Sequence, residues 1–312
     1  DIYPDHRDGH RGSYWKARAL EGLGQPSRAR QIYRELVAST DTSDFYGRQA
    51  TEQLGLVPEE SEPVLAQAKT SVWPAEPALR RAKALMDLGL DGLATREAEL
   101  LGDEASPRDR LALKALMLNR QGRLRESLVL LREAFPALGG PYQSAVPAEI
   151  LRAYYPLQYE DAIRANAERT GLPPHIVAGI IRQESAFDPR ATSPVGARGL
   201  MQLMPGTARE VSGKLDMAYD PSRLYDPEVS VRLGTTYFKQ LLDGFDGNVE
   251  LALAGYNGGP NRIRRMWNEA SGTGAGLDDF FETLSIEESR NYVKRILVLA
   301  DSYRQLYPSM RG

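Results

Sequence analysis

The chain contains no cysteine and only three histidines among its 312 residues. The absence of thiols excludes disulfides, thiolate nucleophiles and thiolate metal ligands. Three histidines also offer few ring nitrogens for a metal site. Neither a Gly-x-Ser-x-Gly elbow nor a Gly-Lys-Ser/Thr phosphate loop is present, so acyl transfer and nucleotide use lack their expected signatures. We therefore predict no metal ion and no other cofactor.

An excess of one charge sign and long apolar runs are also missing. The 39 basic and 42 acidic residues give a net charge of −3, and residues 1–150 hold 20 basic and 22 acidic residues of this total. A nucleic-acid binder would carry a basic excess, so no nucleic-acid partner is predicted. Apolar runs reach about six residues, as at 176–181, whereas a membrane-spanning helix needs roughly 20, so no transmembrane segment is predicted.

Short amphipathic helices fill the first half of the chain, and their pattern repeats. An alanine, a leucine and a glycine recur at constant internal spacing, with offsets of 65 and 33 residues between copies. A period near 33, with a degenerate copy around residues 45–56, is typical of the stacked helix pairs of an α-solenoid. The copies are Ala17, Leu20 and Gly24; Ala82, Leu85 and Gly89; and Ala115, Leu118 and Gly122.

Two breaks interrupt this pattern. Residues 57–77 are proline-rich and predict a loop, and residues 139–147 contain the Gly-Gly-Pro and proline signals of a second break. We place the domain boundary at the second break, which gives α-superhelical helix-pair repeats in residues 1–145 and a second helical domain in residues 146–312. The second domain has helix-start signals at Pro174, at Asp226 and in a capping box from Ser285. We predict an all-α fold with at most a small hairpin at residues 193–199.

Glu184 occupies an unusual position for an acidic residue. Val177, Ile181 and Glu184 stand at i, i+4 and i+7 of the helix that starts at Pro174, so the carboxyl group lies on the apolar stripe. Burial raises the pKa of a carboxyl group, and an acid that keeps its proton near neutrality can act as a general acid in glycoside cleavage. The alternative is a structural glutamate that is bonded to a nearby arginine, tyrosine or backbone amide.

Two glycine-rich segments follow Glu184. Residues 193–205 read SPVGARGLMQLMP, and residues 254–260 read AGYNGGP. Taken alone, they indicate tight turns, core methionines and a half-buried tyrosine at a helix corner. Together, Glu184-Ser185, residues 199–205 and residues 256–259 resemble, in order and spacing, the signature of the soluble lytic transglycosylases. In this peptidoglycan-cleaving family the catalytic domain has a goose-type lysozyme-like fold.

The resemblance covers roughly residues 159–307, and the preceding repeats resemble the α-superhelical domain of the large periplasmic members. In those members the superhelix is much longer, and this chain begins with Asp1 rather than methionine. We therefore expect the C-terminal part of such an enzyme or a shorter relative. The resemblance implies a periplasmic location and peptidoglycan glycan strands as the partner. The helical repeats are a surface that could recruit protein partners.

The resemblance also implies roles for individual residues. Glu184 would be the single catalytic acid, with Tyr256 against it and Asn257 shaping the turn. Residues 288–293 resemble the family's Glu-Thr-Arg-x-Tyr-Val segment, although Ser285 stands where the family commonly has proline. Glu288 can therefore equally be an ordinary capping-box residue. The implied substrate-binding residues are Ser193, Gln202, Met204, Tyr256, Asn257, Glu288, Arg290 and Tyr292.

A lone carboxyl group needs help from the substrate, because ordinary glycosidases use two. Asp188 is followed by proline and is interpreted as a turn residue. In the family, the N-acetyl group and then the 6-hydroxyl of N-acetylmuramic acid are held to capture the sugar carbon. Glu184 would thus act first as acid and then as base, leaving a 1,6-anhydro end. Two alternatives stay open: a lysozyme-like hydrolase and a non-catalytic glycan-binding scaffold.

Overall fold

Every regular element that the structure describes is helical, so the prediction of an all-α fold is confirmed. The packing divides the chain into two compact units, residues 1–156 with 305–308 and residues 157–304 with 309–312. In the described part of the chain, no helix combines the length and the apolar character that crossing a membrane requires. The structure is a computed structural model that describes residues 7–39, 44–56, 77–100, 106–139 and 146–311.

The first unit is built from helix pairs. Helix α1 packs on α2, α4 on α5 and α6 on α7, and both α4 and α5 also contact α6. These contacts between consecutive pairs are the stacking that the sequence period predicts. The helices are α1 (Arg7–Gly22), α2 (Pro26–Ser39), α3 (Phe45–Gln53), α4 (Pro77–Asp87), α5 (Asp91–Leu100), α6 (Pro107–Arg120), α7 (Leu124–Ala134) and α8 (Ala148–Tyr154).

The repeated alanines and glycines have the same structural role in each helix pair. Ala17, Ala82 and Ala115 are fully buried, where a small side chain lets a neighbouring helix approach. The glycines that follow have φ between +70° and +77°, the left-handed region in which glycine ends a helix without strain. The degenerate copy fits this pattern, since Ala50 is fully buried and Gly55 also has a positive φ. The predicted loop at residues 57–77 lies outside the described residues except for Pro77, where α4 begins.

The second unit arranges its helices around α12. This helix contacts α9, α11 and α13, and α10 packs on α9. Helix α10 also approaches α16 closely, since a β-carbon on Gly179 would lie 3.2 Å from the backbone nitrogen of Ala300. The helices are α9 (Glu160–Thr170), α10 (Pro174–Glu184), α11 (Pro205–Lys214), α12 (Pro227–Gly244), α13 (Val249–Gly258), α14 (Pro260–Gly272), α15 (Leu277–Thr283) and α16 (Glu287–Leu306), with 3₁₀ turns at Pro221–Tyr225 and Pro308–Met310.

One local expectation, the capping box from Ser285, differs from the structure. The first compact unit extends to Pro156, because α8 packs on α6 and α7, and the domain boundary after residue 145 stays a prediction. Arg198 forms isolated bridges to Thr192 and to Leu203, which agrees with the expectation of at most a small hairpin at residues 193–199. Helix α16 begins at Glu287, so Ile286 rather than Ser285 precedes its first residue. The other helix starts, at Pro174 and after Asp226, are confirmed.

Candidate functional site

Glu184 is the last residue of α10, at a sharp change of chain direction. The next residue, Ser185, is fully buried, and its hydroxyl donates to the carbonyl of Ile181 at 3.1 Å. Ala186 and Phe187 then both adopt the left-handed region, with φ of 54° and 65°. Non-glycine residues in this region carry backbone strain, which persists only where surrounding structure enforces it. The turn therefore holds Glu184 at a constrained helix end.

Tyr292 of α16 makes a direct contact with Glu184. Its hydroxyl donates a hydrogen bond of 2.5 Å to Oε1 of Glu184, and the tyrosine itself is buried, at 4% exposure. Burial, followed by the negative charge of Glu184, raises the pKa of Tyr292 well above its ordinary value. The phenol therefore keeps its proton at neutral pH and remains a donor to the carboxyl group. The inward orientation that the apolar stripe predicts for Glu184 agrees with this buried partner.

Tyr256 of α13 lies close enough to Glu184 to respond to its charge. Burial raises the pKa of Tyr256 well above its ordinary value, and the charges of Glu184 and Tyr237 raise it further. Its hydroxyl, however, donates at 2.7 Å to the backbone carbonyl of Met201. The ring packs between Tyr237 and Phe238 of α12, with centroids 5.4 and 6.2 Å away. Tyr256 thus connects the helix core to the loop that carries Met201.

The loop at residues 192–204 carries three of the predicted substrate-binding residues. Ser193 accepts the backbone N–H of Ala197 at 3.0 Å and so closes the tip of the loop. Gln202 has a φ of 45°, and its Nε2 donates to the carbonyls of Ala191 and Gly199, at 3.0 and 2.9 Å. Met204, by contrast, is exposed at 44%. Ser193 and Gln202 therefore brace the loop, while Met204 presents an apolar side chain at its end.

Two small residues of α12 hold this loop in place, and sequence reasoning missed both. Ser230 is fully buried, and its Oγ accepts the N–H of Met201 at 3.3 Å. At Gly234, one turn further along, a β-carbon would lie 2.3 Å from the sulfur of Met201. Gly199, in the loop itself, also has no room for a side chain, since a β-carbon there would lie 1.8 Å from the carbonyl oxygen of Leu224. The signal in the sequence was a serine and a glycine at i and i+4 of an otherwise bulky helix.

The turn that ends α13 is tied to the start of α16. Ser289 donates at 2.7 Å to Oδ1 of Asn257, and Nδ2 of Asn257 donates at 3.4 Å to Oε1 of Glu288. No capping-box hydrogen bond joins Ser285 and Glu288 among the described residues, which favours a role for Glu288 at this turn. Sequence reasoning passed over Ser289, although it lies between two residues that the resemblance singled out.

Arg290 lies near this turn but has a partner elsewhere. Its Nη1 donates at 3.2 Å to the carbonyl of Glu282 in α15. Glu282 in turn pairs with Lys294 at 3.2 Å. Arg290 therefore links α16 to α15, and within the described part of the chain it makes no hydrogen bond to Glu184, Asn257 or Glu288.

The chemistry available at the site depends on one carboxyl group. The side chain of Asp188, four residues after Glu184, accepts the backbone N–H of Arg190 at 2.9 Å, which is the turn geometry that its Asp-Pro sequence predicts. Over the described ranges, no cluster of three or more histidine, aspartate or glutamate residues is arranged to hold a metal ion. The arrangement places the carboxyl group of Glu184 beside the buried phenol of Tyr292, and Tyr256, which feels the charge of Glu184, is bonded to the loop at residues 192–204.

Comparisons with known proteins find that this chain is similar to transglycosylases. Residues 161–276 match the family model described as the transglycosylase SLT domain. The soluble lytic murein transglycosylase of Escherichia coli (strain K12) is 30% identical over 306 residues, which covers 93% of this chain and 43% of that relative. The chain thus spans less than half the length of this relative.

Solved structures agree with the sequence comparison. The lytic transglycosylase Slt of Pseudomonas aeruginosa, an inactive glutamate-to-glutamine mutant, has a TM-score of 0.68 and 29% identity, covering 97% of this chain and 48% of that one. The 70 kDa soluble lytic transglycosylase of Escherichia coli has a TM-score of 0.66 and 27% identity, covering 100% of this chain and 48% of that one. These matches confirm the resemblance that the motifs indicate.

Proposed function

We propose, from the premise that residues 161–276 belong to the transglycosylase SLT domain family, that the chain is a lytic transglycosylase acting on peptidoglycan. The bond broken is the β-1,4 linkage between N-acetylmuramic acid and N-acetylglucosamine. Because this polymer lies outside the cytoplasm, the periplasm is the proposed location. The helical repeats are the proposed surface for protein partners.

The observation that carries the proposal is the hydrogen bond from Tyr292 to Glu184. A general acid must give up its proton during bond cleavage and then exist as a carboxylate. A phenol that donates to the carboxyl group stabilises this charged form without competing for its proton, because the raised pKa of Tyr292 keeps the phenol neutral. In the lytic transglycosylase Slt of Pseudomonas aeruginosa, one glutamate-to-glutamine substitution gives an inactive mutant, which supports an essential glutamate in this chain.

In the first step, the carboxylic acid of Glu184 donates its proton to the glycosidic oxygen. The bond between this oxygen and C1 of N-acetylmuramic acid breaks, and the N-acetylglucosamine residue leaves with a free 4-hydroxyl. The carbonyl oxygen of the 2-acetamido group of the same N-acetylmuramic acid bonds to C1 and carries the positive charge. Glu184 is then a carboxylate that accepts the hydrogen bond of Tyr292.

In the second step, the carboxylate of Glu184 removes the proton from the 6-hydroxyl of N-acetylmuramic acid. The oxygen of that hydroxyl attacks C1 and displaces the acetamido oxygen, which forms the 1,6-anhydro ring. Glu184 is protonated again and ready for another cycle. A second carboxylate is not needed, because the substrate itself provides both nucleophiles, in contrast to glycosidases that use two protein carboxylates.

The test is the digestion of purified sacculi by the wild-type chain and by Glu184→Gln, followed by mass spectrometry of the products. The wild type is expected to release fragments with 1,6-anhydro ends, each lighter by one water than a hydrolysed fragment. Glu184→Gln is expected to lose at least about 100-fold in rate, because the amide cannot donate a proton. The matched control is Glu168→Gln, the same change at an exposed position of α9.

Three results would contradict the proposal. Products with reducing ends and no anhydro sugar would indicate a lysozyme-like hydrolase that delivers water to C1. Sacculi that bind the wild type but are never cleaved would indicate a glycan-binding scaffold. Full activity of Glu184→Gln would assign the acid to another residue.

A further inference from the structure

The side-chain amide of Asn257 is held in one orientation by two neighbours. Oδ1 accepts the hydroxyl of Ser289 at 2.7 Å, and Nδ2 donates to the carboxylate of Glu288 at 3.4 Å. A carboxylate can only accept, so the amide nitrogen must face Glu288 and the amide oxygen must face Ser289. The two contacts therefore agree on the same orientation of the amide.

Ser289 is the stronger and the more constrained of these two partners. It is fully buried, whereas Glu288 is exposed, and its contact with Asn257 is the shorter of the two. A β-carbon on Gly258 would lie 2.5 Å from Oγ of Ser289, so the chain next to Asn257 passes directly over the hydroxyl. The hydroxyl thus has a fixed position beneath the turn.

Ser289 and Tyr292 lie on the same face of α16, where Ser289 contacts the turn that ends α13 and Tyr292 contacts Glu184. Residues three apart on a helix are neighbours on its surface, and Tyr292 donates to Glu184. The orientation of Asn257 and the environment of the proposed acid are consequently set by one rigid element, α16. Asn257 is itself partly exposed, and Nδ2 carries two hydrogens, of which the contact with Glu288 uses one.

We infer that Ser289 is a positioning residue that holds the Asn257 amide with its N–H groups toward the bound glycan. This inference rests on the proposed function. The group recognised is an oxygen acceptor on the sugar, a hydroxyl or an acetamido carbonyl. Without the hydroxyl of Ser289, only the longer contact with the exposed Glu288 holds the amide, so the amide can turn away from the orientation that directs its N–H groups toward the sugar acceptor. The loss therefore falls on glycan binding rather than on proton transfer by Glu184.

The experiment compares Ser289→Ala with Ser302→Ala. Ser302 is a matched control because it lies in α16, is 1% exposed, and its hydroxyl bonds only to the helix carbonyl of Val298 among its described contacts. The Kd for a peptidoglycan-derived glycan oligomer is measured by calorimetry in the Glu184→Gln background, where turnover does not interfere. Ser289→Ala is expected to raise Kd about fivefold, the effect of one hydrogen bond, and Ser302→Ala to leave it unchanged.

Three further measurements test whether the effect acts through Asn257. Ser289→Thr keeps a hydroxyl and is expected to restore Kd. Asn257→Asp keeps the acceptor for Ser289, removes the amide donor and is expected to weaken binding at least as much. In ¹⁵N-labelled protein, the side-chain amide signals of Asn257, identified by their disappearance in Asn257→Ala, are expected to shift in Ser289→Ala and to stay in place in Ser302→Ala.

The outcomes separate this inference from the proposed function. If wild-type chain leaves no anhydro ends but Ser289→Ala still weakens glycan binding, the proposed reaction fails while the positioning role stands. An unchanged Kd and unshifted Asn257 signals in Ser289→Ala overturn the inference. The inference is also overturned if Ser289→Ala raises Kd by the same factor in the Asn257→Ala background as in its absence, since the hydroxyl would then act through another group. If Ser289→Ala fails to fold, unchanged binding by Asn257→Asp overturns the inference instead.

Discussion

The glycines of the helix-pair repeats stand in open space, whereas several glycines around the candidate site have no room for a β-carbon. Gly24, Gly89 and Gly122 have φ between +70° and +77°, and a β-carbon on any of them would meet nothing within 4 Å. In the second unit, a β-carbon would lie 1.8 Å from the nearest atom at Gly199 and 2.3 Å at Gly234.

The difference shows that one residue type serves two physical purposes in the two units. In the repeats, glycine is needed for its backbone conformation, which ends one helix and allows the next to begin. Around the site, glycine is needed because another backbone or side chain occupies the space of its β-carbon. Substitution by alanine should therefore cost backbone strain in the first unit and displacement of the loop at residues 192–204 in the second.

The largest effect is expected for Gly199→Ala. Its β-carbon would overlap the carbonyl oxygen of Leu224, and its φ of +76° is also unfavourable for alanine. We expect a loss of more than about 3 kcal/mol in the free energy of unfolding, because neither a backbone carbonyl nor a left-handed turn can adjust cheaply. Urea unfolding measures this loss, and release of anhydro fragments should fall with it. A variant as stable as the wild type would mean that the loop does not pass this close to Leu224.

A smaller effect is expected for Gly234→Ala. The new methyl group would meet the sulfur of Met201, which can move aside, and its Cβ at 2.7 Å, which moves only with the loop backbone, so we expect a loss of about 2 kcal/mol, as for other overpacked sites. The displaced Met201 also carries the carbonyl that accepts the hydroxyl of Tyr256, so cleavage should slow more than stability alone predicts.

Gly213→Ala is the control for this change. Gly213 lies in α11 with open space around its β-carbon position, so this substitution should not lower stability. If Gly234→Ala and Gly213→Ala have equal free energies of unfolding, the close contact between Gly234 and Met201 is contradicted.

The smallest effect is expected for Gly122→Ala in the repeats. The left-handed conformation alone costs alanine about 1 kcal/mol, and no clash adds to it. Gly122→Asn should cost less, since asparagine tolerates this region. Gly12→Ala, in the exposed interior of α1, should instead stabilise by roughly 0.5–1 kcal/mol. Urea unfolding distinguishes these signs, and a loss of more than about 3 kcal/mol for Gly122→Ala would contradict the open environment of the repeat glycines.

The helical architecture could largely be predicted because its signals are local. Periodic alanines, glycine stops and proline starts act within one or two turns of a helix, as at Ala17, Gly24 and Pro174, and the structure confirms them. The position of α8 could not be predicted in this way. The sequence break at residues 139–147 precedes this helix, but its packing on α6 and α7 joins it to the first unit.

For the candidate site, the sequence predicted a list of residues but not the contacts between them. The motifs and the resemblance pointed to Glu184, Tyr256, Asn257 and Tyr292, but not to the pairing among them. Of the two tyrosines, Tyr292 donates to Glu184 and Tyr256 donates to the Met201 carbonyl. Gln202 likewise uses its amide nitrogen within its own loop. Such pairings depend on distances between helices that are far apart in the chain.

Helix periodicity and helix ends were readable from the amino-acid order alone, because they arise from neighbours three to seven residues apart, and the order of the motifs is given by the sequence itself. The fold alone decided that Ser230, Gly234 and Ser289 support the site. Their roles arise from contacts across 29 residues between Met201 and Ser230 and across 32 residues between Asn257 and Ser289. The role of a small residue can be recognised only when the atom packed against it is known. That atom belongs to a segment far away in the sequence and is brought close by helix packing.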